Sequence, residues 1–297
     1  MSRQLFHKIV RIMLLWQCVC WTLQAQRGIP FFVNYEAEAY DAHNRNFDVV
    51  CDSKGNAYFA NFEGVLYYNG DRWNILRTPE MTRITRLYVD GQDHVWVGGY
   101  NFVGKIVAGA QGSPKLLSYL SNQRTNYQVT RIGEVLQIEG TADRVQFHTA
   151  THCISVVQDT LVQFERQAYQ EQTLLAHNNL KLDDGIDLQV AEGKGLAFYQ
   201  DGHYLYQLTA SNGLCSNTVH AIATDGAGTV WGATDNGIFA LYAPSFFTRY
   251  TAKEGLVGEI TCIRRYQQQL YVGTLHGLFR FHPRTSSFEP MSAIQQA

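Results

Sequence analysis

Charged side chains are scarce, 17% of 297 residues, and carry no basic excess, with 24 Lys plus Arg against 26 Asp plus Glu. Setting aside residues 1–25 as a leader removes Arg3, Lys8 and Arg11, leaving 21 basic against 26 acidic residues and a net charge near −5. That balance supplies no phosphate-neutralising field, so nucleic acid is not an expected partner. No apolar run after the leader is long enough to cross a membrane. The six cysteines form no C-x-x-C pair of the zinc or redox kind. A G-x-S-x-G elbow and a Gly-rich phosphate loop ending in Lys are both missing, and Gly193-Lys194-Gly195 is too short to serve as one. No cofactor, metal or catalytic set is therefore expected.

The leader itself is legible. Arg3, Lys8 and Arg11 precede the apolar run from Ile12 to Leu23, which is short for a membrane span, and small Ala25 ends Leu23-Gln24-Ala25. Leu23 is a poorer fit to the cleavage pattern than a small residue would be, so an uncleaved anchor is the alternative. Gln17 and Val19 stand where a lipidated Cys18 or Cys20 would need a small residue. Cleavage sends residues 26–297 to the periplasm or the exterior, with no membrane span left. Four cysteines remain: Cys51, Cys153 and Cys262 lie in strand-like runs, where a buried thiol is the simpler expectation, and Cys215 lies outside them.

What the chain does have is aromatics and glycine: 17 Tyr, 16 Phe, five Trp and 25 Gly. This composition suits short strands joined by tight turns rather than disorder or long helices. Four stretches repeat one another: VVCDSKGNAYFANFEGVLYY from Val49, ITRLYVDGQDHVWVGGYNFVGKI from Ile84, VHAIATDGAGTVWGATDNGIFAL from Val219, and ITCIRRYQQQLYVGTLHGLFRF from Ile260. An aromatic precedes a glycine by six residues in three of them (Tyr58 to Gly64, Trp231 to Gly237, Tyr271 to Gly277), while Trp96 to Gly104 carries two extra. Weaker copies lie around Val145 to Val157 and Asp187 to Tyr199. Taking Tyr58, Trp96, Gln146, Leu188, Trp231 and Tyr271 as equivalent gives steps of 38, 50, 42, 43 and 40 residues.

A period of this length, with period-two alternation and Asp-x-x-Gly turns, predicts an all-β propeller of four-stranded antiparallel blades. Six blades are visible, about 46–80, 81–126, 127–165, 166–214, 215–256 and 257–297, after an irregular lead-in from Arg27 to Arg45. Whether six complete a ring is open, and the stop after Phe288 to Ile294 suggests a truncated or split product. Asp52-Ser53-Lys54-Gly55, Asp90-Gly91 and Asp225-Gly226-Ala227-Gly228 read as turns between first and second strands, their glycines supplying positive φ. The large rings at Tyr58, Trp96, Trp231 and Tyr271 read as wedges between neighbouring blades.

These residues carry a resemblance. Asn212-Gly213-Leu214-Cys215-Ser216-Asn217-Thr218-Val219, with Ala221-Ile222, Asp225, Gly228, Val230-Trp231, Thr234 and Asn236-Gly237-Ile238, resembles the two-component regulator propeller repeat. Asn212, Cys215 and Trp231-Gly232-Ala233-Thr234 depart from its usual residues. Gly28-Ile29-Pro30, Tyr40, Asn46-Phe47-Asp48, Tyr58-Phe59-Ala60-Asn61, Glu63-Gly64-Val65-Leu66, Tyr68-Asn69-Gly70 and Trp73 resemble the opening of Bacteroidetes-type sensor ectodomains of that family. The resemblance implies the extracytoplasmic, ligand-sensing part of a signal-transduction receptor, not an enzyme. Its output module does not follow in this sequence. The implied ligand is a small molecule or oligosaccharide, and another propeller or receptor subunit is the implied protein partner. The alternatives are a streptogramin-lyase-like propeller enzyme and a degenerate interaction propeller.

Strand alternation places the second-to-third loops opposite the Asp turns, where they are free for recognition. The expected ligand-binding face is accordingly Asn61, Glu63, Tyr100, Asn101, Asp235 and His276, with the Tyr100 loop longest. Asn61, Asp235 and Asn236 have a competing role as turn formers. The pair His148 and His152 reads as strand ends bracketing Thr149-Ala150-Thr151 rather than a metal site. Asp183 and Asp184 read as a solvated turn.

Overall fold

The computed structural model describes residues 29–109, 112–120, 131–141, 143–166, 178–182, 185–242, 248–250, 252–267, 269–282, 285 and 287–291. The leader and the Asp183-Asp184 pair lie outside them. Two compact units are present, one of residues 31–245 and one of residues 1–30 with 246–297. Six four-stranded antiparallel sheets are found among the described residues, and none of them curls into a barrel.

The larger unit holds five sheets. Sheet one is β3 (Asn46–Cys51), β4 (Ala57–Asn61), β5 (Gly64–Tyr68) and β6 (Trp73–Leu76). Sheet two is β7 (Ile84–Val89), β8 (Val95–Gly99), β9 (Phe102–Ala108) and β10 (Pro114–Ser118). Sheet three is β11 (Val135–Gly140), β12 (Arg144–Thr149), β13 (His152–Val157) and β14 (Thr160–Arg166). Sheet four is β15 (Asn179–Lys181), β16 (Ile186–Ala191), β17 (Gly195–Gln200) and β18 (His203–Leu208). Sheet five is β19 (Val219–Thr224), β20 (Thr229–Thr234), β21 (Gly237–Tyr242) and, as its outer strand, β2 (Phe32–Tyr35).

That last strand corrects the expected irregular lead-in. Phe32 to Tyr35 pairs antiparallel with Leu241 to Ile238, so the start of the described chain completes a sheet whose other strands lie about two hundred residues later. The physical reason is the edge: without β2, the β21 backbone would present an unpaired row of donors and acceptors.

Sheets one and two pack on both faces, which explains strands that are apolar throughout. In β4 all five residues are buried, because alternation sends Phe59 to one junction and Tyr58 and Ala60 to the other. The six positions matched in the sequence each stand three residues before the end of a second strand. Three of the rings are wedges as expected. Tyr58 packs with Leu87, Val95 and Val97 of sheet two. Trp96 packs with Val145 and Phe147 of sheet three. Trp231 packs with Phe59, Tyr68 and Trp73, so sheet five lies directly on sheet one.

The Asp turns also form as expected. Asp52 Oδ1 accepts from the Lys54 and Asn56 amides, Asp90 Oδ1 from those of Gln92 and His94, and Asp225 Oδ1 from those of Ala227 and Thr229. In the second of these turns the positive φ belongs to Asp93, at 68°, and not to Gly91. The Asp93 carboxylate in turn accepts from Ser53 of sheet one, at 2.7 Å and 2.8 Å. All four cysteines of the described chain are free, and burial pushes the Cys51 and Cys215 thiols up.

The smaller unit pairs β1 (Ile29–Pro30) with β22 (Thr248–Arg249) and contains the sixth sheet: β23 (Ile260–Tyr266), β24 (Gln269–Thr274), β25 (Gly277–His282) and β26 (Ser287–Pro290). Phe279, Phe281 and Phe288 form its core with Val272.

Candidate functional site

The site begins with an irregularity in the first strands. In sheets one, two, three and five, the first strand carries one residue more than its partner near its beginning. The extra residues are Phe47, Thr85, Leu136 and His220. The sixth sheet repeats the feature at Thr261. A bulge of this kind bends the strand and re-aims a side chain that alternation alone would place elsewhere.

Phe47, Leu136 and His220 thereby reach one cavity of about 440 Å³ inside the larger unit, beside Asp48, Arg86 and Gln137. Asn178, Val190 and Glu192 bring sheet four to the same cavity, so all five sheets contribute to its wall. The volume suits a small ligand.

First strands have one edge without a partner strand, and wall side chains supply what that edge lacks. Asp48 Oδ2 accepts from the Leu87 amide at 2.9 Å, carrying sheet one to sheet two. Thr85 Oγ1 donates to the Val135 carbonyl and Arg86 Nε to the Leu136 carbonyl, both at 2.7 Å, carrying sheet two to sheet three.

Behind His220 of the cavity wall, Asp235 Oδ1 lies 2.8 Å from both Arg45 Nε and His220 Nε2. An ionised carboxylate only accepts, so the His220 contact is a donation from Nε2. Phe47 fills the space between them, its ring 5.1 Å from the Arg45 guanidinium carbon and 6.1 Å from the His220 ring.

Register fixes the end at which the cavity lies. Asp48 stands opposite Ala60, Arg86 opposite Gly98 and Gln137 opposite His148, so the wall residues sit where second strands finish and turn. This is the end that carries the second-to-third turns.

The six residues expected there divide. Asn61 is fully buried and shapes structure: its amide donates to the His43 and Arg45 carbonyls and to Asn46 Oδ1, while its oxygen accepts from the Glu63 amide. Glu63 pairs with Arg77 at 3.2 Å. Asn101 Oδ1 accepts from the Ile132 and Gly133 amides, pinning the approach to sheet three. Tyr100 is 43% exposed beneath the Arg83 guanidinium. None of the six lines the cavity; Asp235 is bonded to His220, which does. His276 belongs to the smaller unit.

One expectation about length is corrected. Gly99 pairs with Phe102, so the turn is Tyr100-Asn101, two residues like the Phe62-Glu63 and Asp235-Asn236 turns. Phe102, not Gly104, is the counterpart of Gly64. The Tyr100 loop therefore has no extra reach.

His148 and His152 do bracket a turn. His148 pairs with Glu139 at 3.0 Å and His152 Nδ1 lies 2.7 Å from Thr151 Oγ1. No group of three metal-ligating side chains occurs among the described residues. No helix among them is long and apolar enough to cross a membrane.

No family model matches the chain. No curated protein matches it either. Similar solved structures include the extracellular domain of a hybrid two-component system from B. thetaiotaomicron, at 17% identity and a TM-score of 0.38, covering 88% of this chain and 36% of that one. The extracellular domain of a one-component system from the same organism has 14% identity and a TM-score of 0.34, covering 83% and 41%. Virginiamycin B lyase from Staphylococcus aureus has 11% identity and a TM-score of 0.35, covering 90% and 89%. The chain thus spans well under half the length of the two extracellular domains. The propeller assignment rests on the sheets described above.

Phe47, Arg86, Gln137, Glu192 and His220 were missed by sequence reasoning. The available signal for Phe47 and His220 was the second residue of the first strand, the inserted position in NFDVV and VHAIA; Arg86 and Gln137 follow the same position in ITRLY and VLQIE, and Glu192, in a turn, carried no such signal.

Proposed function

We propose that this chain is the exported, ligand-sensing propeller of a signal-transduction receptor, and that its ligand sits in the cavity walled by the first strands. The observation that carries this reading is the recurrent bulge, which turns Phe47, Leu136 and His220 into one space. A wall needed only for packing would be filled. The leader-like residues 1–25 support export to the periplasm or exterior, and the repeat resemblance supports the receptor assignment. A small molecule or oligosaccharide is the ligand class, and a second propeller or receptor subunit is the protein partner.

Calorimetry of the mature chain against a panel of oligosaccharides, repeated with Leu136→Trp to fill the cavity, tests the reading. Binding abolished by that substitution without loss of melting temperature is the expected result. Binding that survives it moves the site elsewhere.

The His220–Asp235 pair favours one second reading, a propeller enzyme using His220 as a proton acceptor oriented by Asp235. Product formation from a bound compound, lost in His220→Ala, would select it; binding without conversion selects the sensor.

A further inference from the structure

The cavity wall carries opposite charges on separate sheets. Arg86 of sheet two donates through Nε to the Leu136 carbonyl and through Nη1 to the Thr85 carbonyl. Both partners are neutral, and Arg86 takes part in no salt bridge among the described residues. Its fork is therefore fixed in place with Nη2 uncommitted, the arrangement that suits recognition of a carboxylate.

Glu192 occupies the turn between β16 and β17 of sheet four and lines the same cavity. Its carboxylate makes no hydrogen bond or ion pair among the described residues. The Asn178 side-chain amide, just before β15, makes no hydrogen bond among the described residues either. Sheet three lines the same cavity with Gln137 and the apolar Leu136 and Ile138. Asp48 is held by the amides of Val49 and Leu87.

We propose that the cavity takes a zwitterion, an amino acid or short peptide with free amino and carboxylate groups and an apolar side chain. The carboxylate meets Arg86, the ammonium meets Glu192 and Asn178, and the side chain lies on Leu136, Ile138 and Val190. A zwitterion answers both walls, its carboxylate at half-buried Arg86 and its ammonium at the exposed Glu192 turn. The assignment rests on the cavity being the ligand site.

The test is calorimetry of the mature chain with L-leucine and L-leucyl-L-leucine, each compared with its N-acetyl and C-terminal amide derivative. The two free compounds separate an amino acid from a peptide. Either blocked form is expected to bind at least tenfold more weakly than its parent. Glu192→Gln should remove the penalty for acetylation and leave that for amidation. Because Arg86 also props the Leu136 carbonyl, Arg86→Gln is paired with Arg86→Lys, which should restore part of the preference for a free carboxylate. Equal binding of blocked and free forms overturns the zwitterion assignment. So does the absence of binding by all of these while a neutral oligosaccharide binds and Leu136→Trp abolishes it; in that case the cavity stands as the site and only the ligand class falls. Binding of the free compounds that Leu136→Trp leaves intact overturns both.

Discussion

The junction between sheets five and one and the junction between sheets two and three use the same wedge position and seal it in opposite ways. At the first, Trp231 meets Tyr35, Phe59, Tyr68 and Trp73 with ring centroids 5.3 to 6.1 Å apart, and its indole Nε1 has no hydrogen-bond partner. At the second, Trp96 Nε1 donates to Asp90 Oδ2 at 2.8 Å. Lys105, only 8% exposed at its side chain, lies over the Trp96 ring and donates to Asp159, which also accepts from Tyr119. One wedge is held by apolar area, the other by area plus a satisfied polar network. The comparison teaches that the repeat fixes where a large ring goes but leaves its polar end to local solutions.

The largest expected effect breaks the apolar junction from outside. Deleting residues 29–35 removes β2 and Tyr35 together, exposing the β21 edge and one side of the aromatic cluster. The truncated chain should lose cooperative melting and self-associate, read by light scattering and circular dichroism. A monodisperse product that melts near the parent temperature would show that β2 is dispensable.

Next comes truncation of either wedge. Trp231→Ala and Trp96→Ala should each cost about 3–5 kcal/mol, the range for removing a large buried ring. Chemical denaturation measures both. A cost below about 1 kcal/mol at either position would mean that the ring is not a wedge.

The polar junction alone should respond to acid. Burial raises the Asp159 carboxyl, but hydrogen bonds from Lys105 and Tyr119 and the Lys105 charge outweigh it, so its folded value lies below the ordinary one. Burial raises Asp90 likewise, and bonds from Trp96, His94 and Gln92 outweigh it. A depressed carboxyl contributes stability that is present above its unfolded value, near 3.9 for Asp, and is lost as pH falls through the folded value. Asp159→Asn should therefore destabilise the chain by about 1 kcal/mol at pH 7, because the Asp159 side chain is 58% exposed and solvent screens the pair. The gap between variant and parent should close as pH drops below about 4. A gap independent of pH would show that the loss is one of packing.

Much of this contrast was legible in the sequence. The aromatic at the fourth position from the end of four of the six second strands stood out through its spacing, and the Asp turns through their Asp-x-x-Gly pattern. Local chemistry dictates both, since a turn needs its acceptor and a wedge its area. The role of Phe32 to Tyr35 was not legible, because nothing within FVNY reveals a partner about two hundred residues away. The cavity was hidden for a related reason: period-two alternation cannot register a one-residue bulge, so Phe47, Leu136 and His220 read as ordinary strand residues. Asn61 and Asn101 looked like ligand-binding groups because a turn's side chain and a site's side chain are the same residue types. Only their partners, carbonyls and amides of neighbouring segments, separate the roles.

The smallest chemical change, indole to phenyl, is the sharpest discriminator between the two junctions. Replacing each indole by Phe removes the N–H and some ring area, so the area terms at the two positions are similar and the polar terms differ in sign. At Trp96, Phe takes a donor from Asp90 Oδ2, whose side chain is fully buried and keeps only His94 Nδ1, at 3.0 Å, on that oxygen. Loss of a bond to a buried charged group costs about 1–3 kcal/mol. At Trp231 the N–H is already buried without a partner, and its desolvation cost is borne in the native state. Removing it recovers about 1–3 kcal/mol, which offsets the smaller ring's lost contacts. Trp96→Phe should thus be destabilising by about 2–6 kcal/mol relative to Trp231→Phe, measured by denaturant midpoints at equal m-value. The Trp96→Phe effect should shrink in the Asp90→Asn background, whereas the Trp231→Phe effect should be unchanged there, since the two sites share no partner. Equal costs for the two Phe variants would show that the Trp96–Asp90 bond contributes nothing net and that both wedges are held by area alone.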